Sequence, residues 1–272
     1  MKFRPCIDLH NGRVKQIVGS SLRDEGDRAA ENFVSDKNAA WYAEKYRADG
    51  LAGGHVILLN SRESAEYAST LSEALAALAA WPGGMQAGGG IRPDNAGQFL
   101  KAGASRVIVT SYVFPEGELS SDRLREMCRA VGREHLTLDL SCRRRDGRFW
   151  IVTDRWQKFS RETVNVRLLE NLSEYCGEFL IHGVDSEGKR QGVETDLLAL
   201  LGEYEGLPVT YAGGVRSLSD CETIRRLGKG KIDFTVGSAL DLFGGSLPYE
   251  ELKARYGVHA APEDGESAEQ SG

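Results

Sequence analysis

Two aspartates carry the first chemical suggestion in this chain. Asp8 closes the apolar run FRPCID, and Asp139 sits in the run HLTLDLS, each where the chain is about to turn away. A single carboxylate at a strand end is ordinary turn or cap chemistry. Two at matched places can do more, because carboxylates facing across a cleft divide acid and base work. One stays ionised and takes a proton, while the other, its pKa raised, gives one. Such a pair suits a proton shuffle on a bound sugar, as in an aldose–ketose isomerisation.

Glycines supply a second element. QAGGGIR ends at Arg92 and TYAGGVR at Arg216, each just ahead of a helical pattern, and VIVTS and TVGS end at Ser111 and Ser238. Glycine lets the backbone approach an anion closely, and a helix N-terminus adds amide donors. Gly89, Gly90, Thr110 and Ser111 therefore form one candidate phosphate site, and Gly213, Gly214, Gly237 and Ser238 a second. The bland alternative is four tight turns without a ligand. Asp8 and Asp139, Arg92 and Arg216, and Ser111 and Ser238 lie 124 to 131 positions apart. Three pairs at nearly one spacing indicate two similar halves.

The histidines add less. His10 lies in the turn after Asp8, His55 begins a β-rich run and His182 ends one, with no HxH or HxxxH spacing. His55 and His182 read as satisfying buried hydrogen bonds or positioning a substrate, and no metal is expected.

These residues need a scaffold. Eight β-rich runs alternate with helical patterns: FRPCID, GHVILLN, GMQAGG, SRVIVTS, HLTLDLS, GEFLIHGVD, LPVTYAGG and KIDFTVGSA. Several are apolar on both alternations, as parallel strands covered on both faces should be. The pattern predicts an α/β fold, a (β/α)8 TIM barrel built from two half-barrels, with a doubly wound open sheet as the competing architecture. In the barrel, residues at the C-terminal strand ends face the mouth where chemistry is done. Residues 1–258 are expected to form that one domain, and the acidic, small-residue stretch 259–272 a disordered tail. Two long segments interrupt the alternation, 10–36 and 142–161. The second, with three arginines, Trp150 and Trp156, reads either as a lid over the mouth or as a surface hairpin turning at Asp146-Gly147.

The totals set limits. The net charge of −6 argues against a nucleic-acid partner. Five cysteines without a CxxC pair read as free thiols in a reducing compartment, the cytoplasm. No apolar stretch of about 18 residues and no leader h-region are evident, so no membrane partner is expected.

Together CIDLHNGRVKQIVG, QAGGGIR, VIVTS, LDLSCR, DGRFWIV, FLIH, YAGGVR and VGSALDLFGG resemble the phosphoribosylformimino-5-aminoimidazole carboxamide ribotide isomerases of histidine biosynthesis, in their longer, eukaryote-like branch. The resemblance runs from about residue 3 to about residue 257. It implies a cofactor-free Amadori rearrangement of an aminoaldose to an aminoketose by a monomer acting on a bisphosphorylated small molecule. Asp8 matches the general base at the sugar C2, and Asp139 the general acid at the ring oxygen. The two glycine sites would hold the two phosphates, and Trp156 would stack on the imidazole carboxamide. His55, Arg92 and Asp185 are carried over as further substrate contacts. Three positions depart from the shorter branch: Gln16 replaces an arginine, Leu58 an aspartate, and Gly183 a threonine. The rival readings are the cyclase of imidazole glycerol phosphate synthase, an isomerase that also accepts phosphoribosylanthranilate, and a non-catalytic phosphosugar-binding barrel.

Overall fold

The structure is a computed structural model that describes residues 1–17, 30–154, 156–186 and 192–257. The expected tail 259–272 and part of the first long segment lie outside the described residues. In chain order the first half contains β1 (Cys6–His10), β2 (Arg13–Ile17), β3 (Glu31–Val34), α1 (Ala39–Ala48), β4 (Gly54–Leu58), α2 (Tyr67–Ala80), β5 (Met85–Gly88), α3 (Pro93–Lys101), β6 (Val107–Val109) and α4 (Ser121–Val131). The second contains β7 (Leu136–Asp139), β8 (Cys142–Arg145), β9 (Arg148–Thr153), β10 (Lys158–Thr163), α5 (Val166–Leu172), β11 (Glu178–His182), α6 (Thr195–Gly202), β12 (Val209–Ala212), α7 (Leu218–Leu227), β13 (Ile232–Phe234) and α8 (Tyr249–Tyr256).

Strands β1, β4, β5, β6, β7, β11, β12 and β13 pair in parallel and in that order. The ring closes where Phe3 bridges Phe234 in parallel. There the Arg4 N–H donates to the Phe234 carbonyl at 2.8 Å, and the Phe234 N–H to the Lys2 carbonyl at 3.0 Å. This is the (β/α)8 barrel, and the eight runs read from sequence are its eight strands. The other five strands make two additions, the β1–β2–β3 extension and the separate β8–β9–β10 sheet.

Strand alternation sorts the side chains. Ile7, Leu9, Val56, Met85, Val107, Leu136, Leu138, Phe179, Ile181, Val209 and Tyr211 face the helices and are buried in one continuous core. Their neighbours face inward, where Ile57, Ile108, Leu180 and Ala212 pack as a small inner layer. Beneath it the barrel floor is charged and satisfied. Arg4 pairs with Glu178 at 2.9 Å and with Asp233 at 2.7 Å, and Gln86 and Thr210 also donate to Glu178. Buried charges persist when they are paired this fully. The residues one step above the apolar layer are the strand ends, and they open to solvent as a mouth.

Both additions begin with a tight hairpin. β1 and β2 are joined through Asn11 (φ 51°) and Gly12 (φ 68°), and β8 and β9 through Asp146 (φ 52°) and Gly147 (φ 72°). Consecutive positive φ values define the hairpin turn that matches strand twist, which is why Asn-Gly and Asp-Gly stand there. The hairpin expected at Asp146-Gly147 is therefore present. It does not exclude the lid reading, because the connection leading into its third strand places Trp156 in the mouth.

Candidate active site

The mouth is a cavity of about 980 Å³. Asp8, His55, Gly89, Gly90, Arg92, Thr110, Ser111, Asp139, Trp156, Gly213, Gly214, Gly237 and Ser238 all line it. Of the residues predicted from sequence, Asp185 is placed elsewhere. Its carboxylate accepts the Arg144 N–H at 2.9 Å and lies 3.7 Å from Arg143 Nε, so it anchors the β8 strand of the hairpin.

The two aspartates arrive by the same route. Each is an inward-facing residue near or at the end of a barrel strand, Asp8 beside Ile57 of β4 and Asp139 beside Leu180 of β11. Their immediate partners differ. Asp8 accepts a hydrogen bond from Gln16 Nε2 at 3.0 Å. Asp139 accepts one from Thr110 Oγ1 at 2.9 Å and one from Ser141 Oγ at 2.9 Å. Asp139 is reachable from the cavity, yet protein surrounds it, and this burial raises its carboxyl above the ordinary aspartate value. The His182 ring and the hydroxyls of Ser141 and Thr110 pull the other way and moderate the rise. A carboxyl held in that balance can carry a proton to a substrate oxygen.

The glycine turns repeat across the mouth. Gly89 (φ 103°) and Gly90 (φ 65°) follow β5, and Gly213 (φ 114°) and Gly214 (φ 74°) follow β12. A Cβ on Gly89 would lie 2.1 Å from the Leu58 carbonyl oxygen, and one on Gly213 would lie 2.5 Å from that of Gly183. Each turn thus presses against the end of the preceding barrel strand, and only glycine fits. Behind them a first-turn side chain caps each arginine: Asn95 accepts the Arg92 N–H at 2.8 Å, and Asp220 the Arg216 N–H at 3.0 Å. Thr110 lines the mouth as well, and its hydroxyl donates to Asp139. Ser111 Oγ accepts the Asp154 N–H at 3.0 Å, which fastens the β9–β10 connection to the rim.

Trp156 reaches into the mouth with a positive φ of 66°. Its indole N–H donates to Ser141 Oγ at 3.1 Å, and its ring meets the His182 ring edge-on at 4.9 Å. Ser141 therefore connects the indole to Asp139. Sequence reading missed Ser141, whose signal was only its place two residues after an aspartate at a strand end. It noticed Gln16 as a departure without finding its partner.

Cys6, Asp8 and His55 could in principle share a metal, with one donor atom from each inside a 4.8 Å spread. Zinc bonds of about 2.0–2.3 Å hold tetrahedral donors under about 4 Å apart, so the trio is more open than a formed site.

A (β/α)8 barrel whose mouth gathers a carboxylate and a left-handed glycine turn from each of two like halves defines a class, the barrel enzymes that work at the C-terminal strand ends. The comparisons agree with that class. A family described as histidine biosynthesis protein matches residues 2–247, and the chain belongs to it. A Medicago truncatula relative, named as a chloroplastic imidazole-4-carboxamide isomerase bearing two 5-phosphoribosyl groups in its substrate name, is 52% identical over 93% of this chain and 81% of its own length. Isomerases of the same name from Neurospora crassa and Saccharomyces cerevisiae are 45% and 39% identical, each over 90% of this chain and over 93% and 94% of their own lengths.

Proposed function

We propose the chemistry by which this chain, an isomerase of histidine biosynthesis, turns over its substrate: the Amadori rearrangement of an N-linked aminoaldose to an aminoketose. The substrate is the one its relatives' names describe, an imidazole-4-carboxamide carrying two 5-phosphoribosyl groups. One phosphate sits against Gly89, Gly90 and Ser111, and the other against Gly213, Gly214, Gly237 and Ser238. Protonated Asp139 gives its proton to the furanose ring oxygen, and the C1–O bond opens to an iminium. Ionised Asp8 then removes the proton from C2; the C–H pair forms the C1–C2 double bond and the iminium pair returns to nitrogen, which leaves an enolamine. Tautomerisation of the enol to the C2 ketone completes the isomer. In that last step C1 gains a proton from Asp8 and the C2 hydroxyl returns one to Asp139, so both carboxyls are reset and atoms and charge balance without a redox partner. His55, Arg92 and Trp156 contact the sugar and heterocycle within the mouth.

One observation carries this reading. Two carboxylates from matched strands line one cavity between two matched glycine turns, and one of them is raised by burial. A pair of titratable groups in unlike environments is how acid and base roles are separated.

The test is to mix purified protein with the aminoaldose, without added metal or cofactor, and to follow product by absorbance. Asp8→Asn and Asp139→Asn should each lower kcat about 10³-fold while still binding substrate. Full turnover by Asp8→Asn would remove the base. Ammonia-dependent cyclisation in the same assay would assign the sister chemistry instead.

The free state of all five cysteines favours a reducing compartment, the cytoplasm. Among the described residues the exposed large hydrophobics are the separate Trp41 and Phe159, which favours a monomer. No described helix is long and apolar enough to cross a membrane.

A further inference from the structure

We infer that Gln16 is a positioning residue that orients Asp8 and keeps its carboxylate ionised without a charge beside it, an inference that rests on Asp8 being the base. The internal repeat is what isolates Gln16. Aligning NGRVKQI with DGRFWIV places Gln16 opposite Ile151, and aligning VIVTS with TVGS places Thr110 opposite Gly237. Asp139 of the second half is held by the strand-end hydroxyl of Thr110 from the end of the first half, and its own hairpin position is Ile151, buried and apolar. For Asp8 the matching strand-end position is Gly237, from the end of the second half, without a side chain. The hairpin position supplies the donor instead: Gln16, only 2% exposed, reaches back from β2 to Asp8 at 3.0 Å. The two halves have exchanged which element grips the carboxylate.

The donor's charge matters as much as its place. A neutral amide fixes a carboxylate oxygen without adding a charge beside it. A guanidinium at the same position would fix it too, and would also lower the carboxylate pKa by about 1–3 units and weaken it as a base. The remaining groups around Asp8 among the described residues are Cys6 on its own strand, His55 of β4, Tyr46 of α1, and, from the far wall, Asp139 and His182. Lys15, next to Gln16, points away and pairs with Glu31 at 2.5 Å. Gln16 is thus a neutral donor in the direct grip of the base.

The experiment is a pH profile of kcat for wild type, Gln16→Leu, Gln16→Arg and Gln16→Glu, with Asp8→Asn as reference. The acid limb reports the base. Removing the donor should raise its midpoint, a like charge should raise it further, and Gln16→Arg should lower it by about one unit. Gln16→Leu should lose about tenfold in kcat with KM within about threefold, the pattern of a lost positioning contact. A merely structural glutamine would not move the limb in opposite directions for Leu and Arg. Acid limbs that superimpose in all variants, alongside a dead Asp8→Asn, would overturn this inference alone. An active Asp8→Asn would overturn the assignment of the base beneath it.

Discussion

The two half-barrels deliver the same functional groups and surround them differently. Each offers an inward aspartate near or at a strand end, a pair of left-handed glycines and a capped helix. Yet Asp139 accepts hydrogen bonds from the hydroxyls of Thr110 and Ser141 and is raised by burial, while Asp8 accepts one from the amide of Gln16. Duplication explains the sameness. The proposed chemistry accounts for the difference, because it asks for one acid and one base, and two identical carboxylates would compete for the same role. The halves diverged not in the carboxylates but in the residues that hold them.

The largest test of the comparison replaces the two anion turns. Gly89→Ala and Gly213→Ala should each raise KM more than tenfold, since both force a Cβ into a strand-end carbonyl at a backbone angle that disfavours side chains. The closer contact, 2.1 Å against 2.5 Å, puts Gly89→Ala ahead. Circular dichroism and steady-state kinetics on both variants would check this. Unchanged KM in either would mean that its half binds no phosphate.

A smaller effect separates the two carboxylates. Thr110→Val and Ser141→Ala each remove a hydrogen bond that favours ionised Asp139. Losing it should move the alkaline limb of the kcat profile to higher pH and lower kcat about tenfold. The sign follows because hydrogen bonds to a carboxylate lower its pKa, so their loss leaves burial less opposed. The acid limb, which reports Asp8, should stay in place. If it moves as well, the two sites are coupled and the comparison of independent halves breaks.

What the sequence shows of this division follows the same physics. The eight barrel strands are legible because both faces are covered, which leaves near-continuous apolar runs such as HVILL and RVIVT. Strands β2, β8 and β10 read RVKQI, CRRR and KFSRET, and interrupt any apolar run with charged residues, so pattern alone hides them. The aspartates and glycine turns are visible because the repeat marks them. Their holders are not. Thr110 sits in an anion-like motif but spends its hydroxyl on Asp139, and Asp185 sits near a strand end but anchors a hairpin. Both depend on which neighbour lies within 3 Å across the barrel, and spacing along the chain does not record that.

The smallest effect sharpens the comparison at the hairpins. Gly12 and Gly147 hold the same place in matched turns, with φ of 68° and 72°. Alanine at either should cost about 1 kcal/mol of backbone strain. At Gly147 a Cβ meets nothing within 4 Å, whereas at Gly12 it would lie 2.8 Å from Ser69 Oγ on α2. Gly147→Ala should therefore lower Tm by about 2–4 °C and Gly12→Ala by more. The first turn is also tied to the barrel, since Asn60 accepts the Asn11 N–H at 2.8 Å and donates back to Asn11 Oδ1. Strain there reaches β2 and hence Gln16, so Gly12→Ala should lower kcat as well as Tm, while Gly147→Ala lowers Tm alone. Equal kinetic losses from both turns would show that the second hairpin grips its carboxylate as directly as the first.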